Sequence, residues 1–137
     1  MKKLNFNSSL FFGLALSLIG ITSCTGLSTT ANSFYNTGKE LENKKRYSEA
    51  FEFYQKAANA GHAQAMNALG SLYEKGKGVG MDYQRAMKWY QKAASIGSVD
   101  AMDNLAIMYE NGQGVKKDPK IAADWRQKAA EAKGSGK

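Results

Sequence analysis

The chain has 137 residues, enough for one compact domain, and its 43% hydrophobic content, 14 glycines and single proline describe a globular helical protein rather than a disordered one. Nineteen Lys and Arg against twelve Asp and Glu give a net charge of +7, but the basic residues fall in runs no longer than two or three, which reads as a solvated surface before a polyanion-binding patch. One cysteine excludes an internal disulfide, and one histidine beside that one cysteine excludes an ordinary zinc or thiolate site.

The first segment is an address. Lys2 and Lys3 precede an apolar run over residues 10–21, which as a helix would be roughly 18 Å long, too short for a hydrocarbon core of about 30 Å. After it, Ile21-Thr22-Ser23-Cys24 is similar to the lipobox of bacterial lipoproteins. That resemblance implies a signal peptide over residues 1–23, cleavage before Cys24, and a thioether to diacylglycerol with acylation (palmitate) at Cys24. Two or more acyl chains anchor a protein durably where one does not. Residues 24–33 are small and polar and read as a flexible tether reaching at most about 30 Å. Thr25 rather than Asp follows the cysteine, so the expected location is the cell envelope, on the outer membrane facing the periplasm of a Gram-negative cell. Removal of Lys2 and Lys3 leaves 17 basic against 12 acidic residues, a surplus of +5.

Beyond residue 33 the chain repeats itself. Lys56-Ala57-Ala58, Lys92-Ala93-Ala94 and Lys128-Ala129-Ala130 recur at an offset of 36, as do Ala50, Ala86 and Ala122, and Phe53, Trp89 and Trp125. Leu69-Leu105, Tyr73-Tyr109, Gly76-Gly112, Gly78-Gly114, Val79-Val115 and Asp82-Asp118 keep the same distance. Ala65, Leu69 and Tyr73 stand at i, i+4, i+8, and Ala86, Trp89, Tyr90, Ala93 and Ala94 follow i, i+3, i+4, i+7, i+8, so each unit predicts two amphipathic helices. Between them, Gly76 and Gly112 supply left-handed caps, Val79 and Val115 apolar plugs, and Asp82 and Asp118 the cap of the second helix, with Pro119 at its first position. Gly-x-Gly without a preceding strand is a weak phosphate signal, and the turn role is preferred.

Leu69, Gly70, Tyr73, the Gly-x-Gly-Val loop, Asp82, Ala86, Trp89 and Lys92-Ala93-Ala94 resemble the Sel1-like repeat, a relative of the tetratricopeptide repeat. The resemblance is strong over residues 61–133. It implies an all-α fold, an α-solenoid of about three stacked hairpins, with Sel1-like units at 61–96 and 97–133, a more tetratricopeptide-like hairpin at 34–60 whose inter-helix segment is four residues shorter, and a disordered tail at 134–137. Stacked hairpins curve, so the first helices line a concave wall. Carried over from the tetratricopeptide relatives, the groove-facing positions are Asn32, Tyr35, Lys39 and Glu42 in the first unit, Gln64, Asn67, Ser71 and Glu74 in the second, and Asp100, Asp103, Ile107 and Glu110 in the third. Their amides, hydroxyls and carboxylates suit the main chain of an extended peptide.

The resemblance therefore implies a lipid-anchored adaptor that binds a partner protein or peptide, with no cofactor and no catalytic residue. The alternative is binding of an anionic envelope polymer or lipid, peptidoglycan or lipopolysaccharide, through the basic surface; export argues against nucleic acid. His62 aligns with Ser98 one unit on, which marks a cap position. Asp100 and Asp103 share one short helix without the deep cleft that a pair of glycosidase carboxylates needs. With no further polar helix after the last hairpin, Met102, Leu105, Met108 and Trp125 are expected to form a partly apolar end that contacts a partner or a second copy weakly.

Overall fold

The structure, a computed structural model, describes residue 26 and residues 28–135. The signal peptide, Cys24 and the last two residues of the tail lie outside these. Among the described residues there are six helices and no strand: α1 over residues 28–43, α2 Tyr47–Asn59, α3 Ala63–Lys75, α4 Tyr83–Ser95, α5 Val99–Asn111 and α6 Pro119–Gly134. Successive helices pair as three antiparallel hairpins stacked side by side.

The caps follow the predicted chemistry. Gly76 and Gly112 take left-handed conformations, φ 62° and 71°, and their amides close onto Leu72 O and Met108 O. The Asp82 carboxylate accepts from Arg85 N at 2.9 Å, and that of Asp118 accepts from Lys120 N and Ile121 N at 3.0 and 3.1 Å. Asp82 N donates to Tyr73 O and Asp118 N to Tyr109 O, both at 2.9 Å, so each seven-residue loop is closed at its far end as well. In the first hairpin the connection shrinks to residues 44–46, and Lys45 rather than a glycine takes the positive φ, 59°.

The core is built from small residues and rings. Ala50, Tyr54, Ala57, Ala58, Ala65, Leu69 and Leu72 form one buried cluster, and Tyr73, Ala86, Tyr90, Ala93, Ala94, Ala101, Leu105 and Met108 the next. Each fully buried leucine contributes about 2 kcal/mol. Both alanines of the first two pairs, Ala57 with Ala58 and Ala93 with Ala94, are buried, as is Ala129. Ala130, with no further described hairpin over it, is exposed.

The second glycine of each loop does more than turn the chain. At Gly78 (φ 71°) a Cβ would lie 2.4 Å from the Tyr47 carbonyl carbon, and at Gly114 (φ 68°) 2.7 Å from Tyr83 Cβ. Tyr47 and Tyr83 open α2 and α4, so each loop presses backbone against the first turn of the preceding unit's second helix. Ser48 Oγ seals that contact by donating to Gly78 O at 3.3 Å. Valine 79 packs against both clusters, the plug role expected of it.

Three expectations are corrected. The tether of residues 24–33 is helical from residue 28 onward: Ala31 is buried, and Thr30 Oγ1 donates to Gly26 O at 2.7 Å, so α1 gains a turn that polar composition alone did not suggest. The tail likewise begins later, since α6 runs to Gly134. Of the four residues of the expected apolar end, only Met102 and Trp125 stay partly exposed. Leu105 and Met108 are at most 1% exposed, and Met102 and Trp125 pack on the same cluster, because α6 folds back across α5 and covers it.

The loop-to-helix contact gives a direct test. Gly78→Ala should cost about 3 kcal/mol, since backbone cannot swing aside as a flexible side chain can, whereas Gly97→Ala, at φ 92° with open space around it, should cost only about 1 kcal/mol. Urea denaturation of the two variants against the parent chain measures both.

Candidate functional site: the wall of first helices

Helices α1, α3 and α5 are the first helices of the three hairpins, and they carry the residues expected to line the wall. Burial, then Glu42, then Asp100 of the third unit raise the Tyr35 pKa above its ordinary value. Cross-links knit neighbouring units. Asn104 Nδ2 donates to Asn67 Oδ1 at 3.0 Å between α5 and α3. His62 Nε2 stands 2.9 Å from Asn32 Oδ1, and the His62 ring stacks on Tyr35 with centroids 4.4 Å apart. Lys39 Nζ lies 5.6 Å from the Tyr35 centroid.

Three of the expected docking groups are committed elsewhere. Glu42 accepts from the Tyr54 hydroxyl and Glu74 from the Tyr90 hydroxyl, each at 2.6 Å. Glu110 is gripped by Arg126 through Nε at 2.9 Å and Nη2 at 2.7 Å. Tyr54, Tyr90 and Arg126 are separated by the repeat length of 36, so one latch between the helices of a hairpin is built three times with two chemistries. Burial first, and then the bond to glutamate, pushes both phenols far above the ordinary tyrosine range. The guanidinium hydrogen bond holds Glu110 below the ordinary carboxylate value. Asp103 is also paired, with Lys133 Nζ at 3.1 Å. The partners of these acids on the second helix are a tertiary matter, which spacing within one helix cannot show.

The open part of the wall is thus narrower than the sequence suggested: Gln64, Asp100 and Ile107, bordered by Asn67, Asn104, Asp103, Lys39, Tyr35 and Ser71, whose side chain bonds the Tyr90 phenol. Ile107 is 41% exposed amid polar neighbours. Asn104 is the wall residue that the carried-over pattern missed; its offset from Asn67 is 37 rather than 36, so register within the repeat hid it. Charge is segregated as well. The first helices carry two lysines and six carboxylates, a net of −4, while the second helices carry eight Lys and Arg against four carboxylates, a net of +4.

His62 is engaged through both ring nitrogens, Nδ1 accepting from Ala65 N at 3.2 Å and Nε2 facing Asn32, and it caps α3 as Ser98 caps α5. Among the described residues no three His, Cys, Asp or Glu side chains converge on a point that could hold a metal ion.

Three helical hairpins stacked side by side define a repeat scaffold of the solenoid class. The Sel1 repeat model matches residues 23–62, 63–98 and 99–133, more than half of the chain, and the chain belongs to the Sel1 repeat family. Its first match includes the unit that the sequence likened to a tetratricopeptide hairpin; the shortened 44–46 connection is a variation on the Sel1 unit. Among solved structures, a protective antigen of uropathogenic Escherichia coli with an SLR fold is 32% identical with a TM-score of 0.70, over 78% of this chain and 23% of that one. A Sel1 repeat protein from Oxalobacter formigenes is 34% identical, TM-score 0.67, over 74% and 43%. The cysteine rich protein B of Helicobacter pylori is 30% identical, TM-score 0.58, over 61% and 63%. The chain therefore spans less than two thirds of each of these proteins. No curated protein matches it. Sel1 repeats are protein–protein interaction modules and typically non-catalytic scaffolds.

Because His62 Nδ1 must keep its lone pair to cap α3, and burial lowers its pKa below the ordinary 6.5, the neutral ring is the form that stabilises the fold. Its contribution is complete above the unfolded-state value and is lost as pH falls through the lower folded value, where the unfolded chain binds the extra proton. Thermal unfolding should show stability decreasing from about pH 7 to about pH 5, and His62→Ser, copying the Ser98 cap, should flatten that part of the profile.

Proposed function

We propose that this chain is a lipid-anchored adaptor of the bacterial cell envelope, held by acylated Cys24 at the periplasmic face of the outer membrane, whose concave wall docks an extended, basic segment of a partner protein. The observation that carries this reading is an isoleucine, Ile107, left 41% exposed on the helix that carries the open carboxylate of Asp100, on first helices whose residues sum to −4 although Asp103 and Glu110 are paired with Lys133 and Arg126. An apolar side chain ringed by polar groups is the usual form of an anchoring point in a docking site. The carboxylates around it favour Lys or Arg in the segment that covers it, and the amides of Gln64 and Asn67 match peptide main chain. Latching Glu42, Glu74 and Glu110 into their hairpins supports a preorganised wall, so that little ordering entropy is lost on docking.

A photoreactive residue placed at Ile107, with Lys88 on α4 as control, should give a discrete protein adduct in living cells from position 107 alone. Reversing Asp100 and Asp103 together to Lys should then weaken partner binding by about tenfold or more, mostly through a salt-sensitive association rate. Equal adduct patterns from both positions would refute the wall as the docking site.

A further inference from the structure

The edge of the stack opposite in charge to the wall carries a second repeated device. Lys56 Nζ sits 4.9 Å from the Phe53 centroid and 5.9 Å from that of Phe34, Lys92 Nζ is 4.4 Å from Trp89, and Lys128 Nζ is 4.4 Å from Trp125. Each pair lies at i, i+3 on a second helix, so the three form a ladder across the stack. Trp89 lines a shallow hollow of about 460 Å³ with Arg85, Lys88 and Lys92; Trp125 and Lys128 line another of about 520 Å³. The two hollows share Gln91 and Ser95 and so adjoin. Ile96, just past the end of α4, and Ile121, on α6, are 51% and 37% exposed. Helix α4 contributes Arg85, Lys88 and Lys92 with no carboxylate of its own.

We infer that this edge seats on the headgroups of an anionic phospholipid bilayer. Indole rings partition to the boundary between headgroups and acyl chains, and a lysine stem lying along a ring keeps its ammonium at headgroup level while the ring and stem cover apolar surface. Each basic side chain at an anionic surface strengthens binding about fivefold. The topology brings the anchor to the same place. The start of α1 meets the end of α2, where Ser28, Ala31 and Asn32 face Ala60, Gly61 and His62 around one hollow, so α1 begins at the edge where α2, α4 and α6 end and where Lys56, Lys92 and Lys128 sit. Cys24 precedes residue 28 by four positions, a reach of at most about 14 Å. This second argument rests on the lipid anchor proposed above; the chemistry of the edge stands without it. Turned this way, the acidic wall faces away from the anionic surface.

Trp89 and Trp125 are the only tryptophans, so intrinsic fluorescence reports on this edge alone. Full-length protein purified from bacterial membranes is mixed with phosphatidylcholine vesicles and with vesicles enriched in phosphatidylglycerol, floated on a density gradient, and its emission and acrylamide quenching recorded. In the anionic vesicles the emission should move to the blue and quenching should fall at least about threefold relative to phosphatidylcholine. Lys88→Glu combined with Lys92→Glu, checked for intact helical circular dichroism, should remove that difference while the anchored protein still floats; Lys128→Glu should reduce it. Protein that floats on both vesicles with identical tryptophan signals overturns the seating and leaves the anchor standing. Protein that does not float on phosphatidylcholine but shows the phosphatidylglycerol-dependent shift removes the anchor and upholds the seating. Retention on peptidoglycan sacculi without any lipid-dependent shift also overturns it.

Discussion

The arrangement depends on how closely the two helices of a hairpin can approach. At Gly38 a Cβ would fall 2.6 Å from the Tyr54 ring, and at Gly70 2.5 Å from that of Tyr90, so the tyrosine lies directly on bare backbone and its hydroxyl is delivered to Glu42 or Glu74 one turn further along. Glycine weakens a helix interior by up to about 1 kcal/mol; burying a ring against it and closing a charge-assisted hydrogen bond more than offsets that loss. In the third hairpin Ala106 and Arg126 take these two places. A long guanidinium stem does not require the bare surface a ring requires, and the latch to Glu110 becomes an exposed bidentate ion pair. The same joint is thus rigid and neutral on the donor side in two hairpins, and ionic and solvent-facing in the last.

Hairpins fixed internally in this way are joined to one another by weaker, repeated contacts: the second loop glycine pressing on the preceding helix start, Phe51 edge-on to Tyr73 at 5.5 Å, the Asn67–Asn104 amide pair, and the Tyr35–His62 stack. Stability in such a stack is the sum of unit and neighbour terms. One interface, that between the first two units, carries a histidine whose neutral form is required, which makes it the pH-sensitive joint of the set.

Six carboxylates against two lysines on the first helices, and eight Lys and Arg against four carboxylates on the second, bias charge to opposite sides of the stack. The wall presents carboxylates and one exposed isoleucine; the opposite edge presents lysines lying along aromatic rings. Neither face is large, and each is chemically simple, which is what a repeat scaffold provides: a rigid frame on which a few side chains differ from unit to unit while the packing residues do not.

What the sequence determined by itself was the unit. Period, helix pairs, loop caps at Gly76, Gly112, Asp82 and Asp118, the valine plug and the cap role of His62 are local, because each depends on spacing within some forty residues and on backbone chemistry that the residue types carry with them. The expected wall residues were a set of helix-face positions read in the same way. Which members of it remain open was decided by tertiary structure: Glu42, Glu74 and Glu110 are spoken for by side chains 12 to 16 residues away, and Asp103 by Lys133, 30 residues on. The burial of Leu105 and Met108 under α6, the helical start at residue 28, and the pressing of Gly78 and Gly114 on the neighbouring unit were decided there too. Each is a contact between segments whose mutual distance no periodicity encodes, and it exists only once the hairpins have closed and stacked.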